Sequence, residues 1–116
     1  MKTYTDINQS EELAKFLPNE SADLFYRSNK ENVKLRWESS DPVVTYPCWS
    51  LAVLMEIIKK AGAYLSITYT VKEDDTWMAA ACYKYTNKMI KDWHIYKNLI
   101  DACYEVIIVM HEHKLL

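Results

Sequence analysis

Glycine occurs once in this chain, at Gly62. Dinucleotide-binding turns and P-loops need several glycines for close approach of the backbone to a phosphate, so a nucleotide-dependent enzyme of either type is not expected. Cysteine is scarce as well. Cys48, Cys82 and Cys103 are an odd number with no Cys-x-x-Cys pair, which argues against a disulfide framework and against a zinc site. They are expected to be reduced thiols in a cytoplasmic protein. Long apolar runs are missing: Leu51 to Met55 and Val106 to Met110 are far too short to span a bilayer, and Met1 to Asp6 lack the apolar stretch of a secretory signal. No membrane partner is expected. There is also no excess of one charge, since 14 basic residues stand against 16 acidic ones for a net −2, so any taste for a polyanion must come from a local patch.

What is present is apolar material. Half of the 116 residues are hydrophobic, enough for one core and a single domain over residues 1–116. Asp6, followed three residues later by Gln9, predicts a capped helix over about residues 7–17, stopped by Pro18. Ser21 to Tyr26 reads as a short further helical turn with Ser21 as cap. Val33, Leu35 and Trp37 alternate with Asn32, Lys34 and Arg36 as in a half-buried strand. Residues 38–42 have the composition of a loop, and Val43 to Tyr46, ahead of Pro47, form either a short edge strand or an extended approach to the next helix.

Ser50 is placed to cap that second helix, with Trp49 and Leu54 as its hydrophobic staple and Gly62 as its left-handed stop. Its apolar residues cover about 200° of the circumference, which predicts flanking on more than one side. A hairpin follows, with Leu65, Ile67, Tyr69 and Val71 alternating with polar residues before the charged turn 72–75 and a second strand from Thr76 to Tyr85. Its small residues Ala79, Ala80, Ala81 and Cys82 should let a helix approach the sheet closely. Asn98 and Asp101 open a last helix running to about His113, so apolar that either it is central or one flank is an oligomer surface. The expected fold class is α+β, three helices on a small antiparallel sheet containing a hairpin, in the order α-β-α-β-β-α.

Three patches, Thr5-Asp6-Ile7-Asn8-Gln9-Ser10 with Ala22-Asp23-Leu24, then Pro47-Cys48-Trp49-Ser50-Leu51-Ala52-Val53-Leu54, then Asp101-Ala102, resemble a family of small uncharacterised proteins of gut bacteria and their prophages and other mobile elements. The chain departs from the family in having Phe16-Leu17 where a Gly-Leu pair is common, and in lacking a proline that often closes the second helix. The resemblance implies no activity, substrate or site residues. It implies a context, an accessory product of mobile DNA.

No catalytic constellation is recognisable, and no cofactor or metal is expected. Cys48 precedes a helix N-terminus, where a thiolate is favoured, but no family spacing links it to His94, His111 or His113. His111 and His113 lie about 200° apart on a helix and cannot chelate one ion. The functional candidate is the segment from Tyr83 to Lys97, read as a long loop in which basic and aromatic residues interleave. Tyr85, Lys88, Lys91, Trp93 and Tyr96 are its expected contact residues. The leading reading is a non-enzymatic interaction protein with an unknown protein partner, or a homodimer. The alternative is a modulator that binds nucleic acid through the same segment, its lysines on phosphates and its aromatics stacked on bases.

Overall fold

A computed structural model describes residues 2–26, 46–69, 76–86 and 88–116, together with the backbone of 33–35. Helix α1 (Ile7–Leu13) starts as its sequence dictates: the Asp6 carboxylate accepts from the Gln9 amide, and the Gln9 side chain accepts from the Asp6 amide. The helix closes at Leu13, and a hydrogen-bonded turn carries the chain on to Leu17. The short strand β1 (Leu24–Tyr26) stands where a helical turn was expected. Three apolar residues carry too little local signal to choose a conformation, and pairing with distant partners chose the strand. β1 lies between β2 (Val33–Leu35) and β3 (Tyr46–Cys48), antiparallel to both. The edge-strand option for residues 43–46 is thus met at Tyr46, while 43–45, the faces of 32–37 and the turn 72–75 lie outside the described residues.

Helix α2 (Leu51–Lys60) has the Ser50 hydroxyl on the Val53 amide at its start and Gly62, at φ +85°, just past its end. Space is open around Gly62, so the positive φ is what demands glycine there. Leu54 and Ile58 of this helix are fully buried, Leu51, Val53 and Ile57 pack partly against the core, and the helix is flanked by both α3 and β4, while Met55 is exposed.

The second sheet is formed by β4 (Ala63–Tyr69), β5 (Trp77–Tyr83) and β6 (Met89–Tyr96), all antiparallel with β5 central. Helix α3 (Leu99–Glu112) returns across it, with Asn98 capping the Asp101 amide. It is central to the core: Ile100, Ala102, Cys103, Val106, Ile107 and Met110 are all buried. The small residues do what their size suggested, since Ala79 and Ala81 of β5 pack with the core that includes Ala102 and Cys103 of α3. The class is therefore α+β with three α-helices, but with two small antiparallel sheets in place of one. No described helix is long and apolar enough to cross a membrane.

Candidate interaction surface

The patches Thr5 to Ser10, Asp23 and Cys48 to Ser50 meet in a clasp of hydrogen bonds. Thr5 and Trp49 exchange a backbone bond, the Thr5 hydroxyl accepts from the Trp49 amide at 3.1 Å, and the Ser10 hydroxyl lies 2.7 Å from it. Tyr26 donates its phenol to the Thr5 carbonyl, Trp49 donates its indole N–H to Ser21, and Asp23 accepts from the Ser50 amide. Asp101 joins through Gln9 and Lys2. These residues have structural partners. Thr5→Val leaves the Trp49 amide buried without an acceptor, and urea unfolding is expected to show a loss of about 1–3 kcal/mol.

Cys48 lies inside this clasp, wholly buried, its thiol donating to the Thr5 carbonyl. Burial pushes its pKa up and outweighs the hydrogen bonds from Thr5, Ser10 and Tyr26, which is the opposite of what a thiolate nucleophile needs. Burial would raise Asp101 too, yet hydrogen bonds from Lys2, Gln9 and Asn98 and the charge on Lys2 hold it below the ordinary carboxylate value. Its contribution to stability is therefore complete above about pH 4 and lost as the pH falls through the lowered folded pKa. Acid titration of unfolding stability should show that loss, and Asp101→Asn should flatten it.

Most of the segment 83–97 is the strand β6 (Met89–Tyr96) rather than a long loop, with Tyr83 ending β5 and 84–86 in a turn. Two register shifts between β5 and β6, at Ala79/Ala81 and Ala81/Cys82, break the two-residue alternation that would have betrayed it. They also decide where the five expected contact residues go. Tyr96 is 6% exposed and donates its phenol to Glu105 of α3 at 2.6 Å, and Lys91 lies 3.6 Å from the same carboxylate. Burial, then that hydrogen bond, pushes the Tyr96 hydroxyl upward. Both residues tie β6 to α3. Tyr85, 87% exposed, sits in the β5–β6 turn with the Lys84 ammonium over its ring, and exposed Lys88 is beside it. Trp93 is alone of the five on the broad face of the sheet, 44% exposed.

That face is what sequence reading missed. Ala63, Leu65, Ala79, Ala81 and Ile90 point to the helices. Alternation and pairing register then put Tyr64, Ser66 and Thr68 of β4, Met78, Ala80 and Cys82 of β5, and Met89, Trp93 and Ile95 of β6 on the other side. Asp92, which shares with Trp93 the place opposite Ala80, adds an exposed charge to this side, and Tyr64, Met89, Trp93 and Ile95 are each exposed. Both α2 and α3 pack on the inner face, and among the described residues no element covers the outer one. One signal was available: Trp77 to Tyr83 is apolar at odd and even positions alike, the pattern of a strand covered on both faces.

A cleft of about 460 Å³ opens elsewhere, between the β4–β5 ends and the start of α3, with Leu51, Tyr69, Trp77 and Leu99 as walls and Lys2 and Lys97 among its lining residues. Lys2 is engaged there by Asp6 and Asp101. Among the described residues no three His, Cys, Asp or Glu side chains are grouped to hold a metal ion. In comparison with known proteins, the chain matches no family model, no curated protein and no solved structure.

Proposed function

We propose that this protein is a non-enzymatic interaction protein that engages a protein partner through the outer face of the β4–β5–β6 sheet. The observation that carries the reading is a central strand apolar on both faces with only one face covered by described elements. Exposed tryptophan, tyrosine and methionine are residue types enriched in protein interface cores. The buried state of Cys48 supports the non-enzymatic side of the reading. The resemblance of the Thr5, Asp23 and Trp49 patches to prophage-borne proteins supports an accessory role in a mobile element.

The nucleic-acid alternative draws less support. Lys91 is paired with Glu105, and Lys97 follows the far end of an eight-residue strand from Lys88, roughly 26 Å away. The lysines therefore do not converge into one phosphate-binding patch. Pull-downs from lysate with and without nuclease separate the two readings. Protein capture should resist nuclease, vanish with Trp93→Asp and survive Tyr85→Ala with Lys88→Ala. Nuclease-sensitive capture lost in the Tyr85/Lys88 variant would favour nucleic acid instead.

A further inference from the structure

We infer that the free edge of β4 pairs with β4 of a second copy of this chain, antiparallel about a two-fold axis at Ser66, so that two three-stranded sheets become one continuous sheet. The Lys84 amide donates to the Gly62 carbonyl at 2.8 Å, which fixes the ladder: Tyr64, Ser66 and Thr68 exchange their main-chain bonds with β5, and Ala63, Leu65, Ile67 and Tyr69 turn theirs outward. No strand among the described residues takes these groups up. Open edges are commonly blunted by charge, proline or a bulge, and the other edge of this sheet is: β6 carries Lys91 and Asp92 and shifts register twice against β5. β4 has no such device. Its seven residues are uncharged, contain no proline and pair with β5 without a break.

A second copy is selected because the strand complements itself. A two-fold interface needs knob and hole on the same patch, since each copy presents the identical surface to the other. Tyr69, 51% exposed at the end of β4, is the knob. The hole is a shallow groove of about 330 Å³ at the start of the strand, between Ala63 and Leu65 and the Ala52, Met55 and Lys59 side of α2; no β5 residue lines it, so it opens on the free edge. By the two-residue alternation of a strand, Ala63 and Tyr69 share a face, and they flank Ser66 symmetrically. With Ser66 on the axis, Ala63 meets the partner's Tyr69, Leu65 meets the partner's Ile67, and every outward main-chain group of both strands gains a mate. Ser66 meets only itself, and its small hydroxyl can both donate to its copy and accept from it. The groove wall carries one acid, Glu56, beside the base Lys59, so it sets no net charge against its own copy. The contact is one strand wide, and a weak, concentration-dependent dimer follows.

Sedimentation velocity on the full chain, from about 5 μM to about 1 mM, should show the mass rising from 13.7 kDa toward twice that value. Ile67→Pro removes an outward N–H, leaves the bonds to β5 in place, and should hold the mass at the monomer value with an unchanged circular dichroism spectrum. If that variant does not fold, Ser66→Lys, which sets like charges on the axis, should do the same. Trp93→Asp, on the opposite edge strand, should leave the dimer intact. Register is read by cross-linking in a Cys82→Ser background. Ser66→Cys should give a disulfide-linked dimer on air oxidation, since opposite residues that exchange no main-chain bonds stand about 4.5 Å apart. Thr68→Cys should not, because its copy lies roughly 14 Å away. A wild type monomeric throughout, a dimer undiminished in the folded edge variant or lost in Trp93→Asp, or cross-linking through Thr68→Cys in place of Ser66→Cys overturns the inference. A monomeric wild type whose capture of another protein is lost in Ile67→Pro would assign the edge to a foreign strand and overturns the second copy.

Discussion

Trp49→Ala is expected to destabilise the protein by about 3–5 kcal/mol, the range for removing a large aromatic from a packed interior. Trp49 is fully buried, and it shares the core cluster with Leu13, Leu54 and Ile100. The substitution leaves a cavity where α1, the β1 sheet and α2 come together, and it strips the Ser21 hydroxyl of the indole donor 2.9 Å away. Small domains carry only about 5–15 kcal/mol in total, so urea unfolding should show a midpoint displaced by a large fraction. Trp49→Phe refills much of the volume and should recover most of the loss. Trp93→Ala is the contrast: the same residue type, half exposed on the outer sheet face, should change the stability of the monomer by about 1 kcal/mol or less.

The second large effect separates two neighbours in one strand. Ala81 is wholly buried against the helices, in register with Leu65 and Lys91, and there is no room for added atoms where α3 crosses the sheet. Ala81→Leu should push helix and sheet apart at a cost of about 1–3 kcal/mol. Ala80 is also almost inaccessible, but it belongs to neither core cluster and is covered by larger outward neighbours. Ala80→Leu displaces outward neighbours that are themselves exposed, and should leave thermal unfolding within about 1 kcal/mol of wild type. Equal destabilisation by both variants would mean that the outer face is covered in the monomer.

Local chemistry was the legible part of the fold. Asp6 with Gln9, Ser50 with Val53 and Asn98 with Asp101 each lie three residues apart, so their caps could be read directly and are found as read. The β4–β5 hairpin was legible for the same reason, with seven paired positions in unbroken alternation. β1 was not, since Leu24 to Tyr26 pair with Tyr46 to Cys48, twenty or more residues away. β6 was hidden by its own irregularity. The register shifts move Lys91 and Tyr96 to the helix side and leave Trp93 outside, so composition could name the aromatic and basic residues but not their faces. The docking face was hidden for a further reason: Ser66 and Thr68 read as the polar side of a hairpin, and only the apolar β5 beside them changes their meaning.

The most direct test of the open face as the docking site is nuclease-treated capture from lysate with the wild type, with Trp93→Asp and with Tyr85→Ala plus Lys88→Ala. Protein capture is expected to be lost in Trp93→Asp alone. Capture unchanged in Trp93→Asp, or lost only in the Tyr85/Lys88 variant, would contradict it.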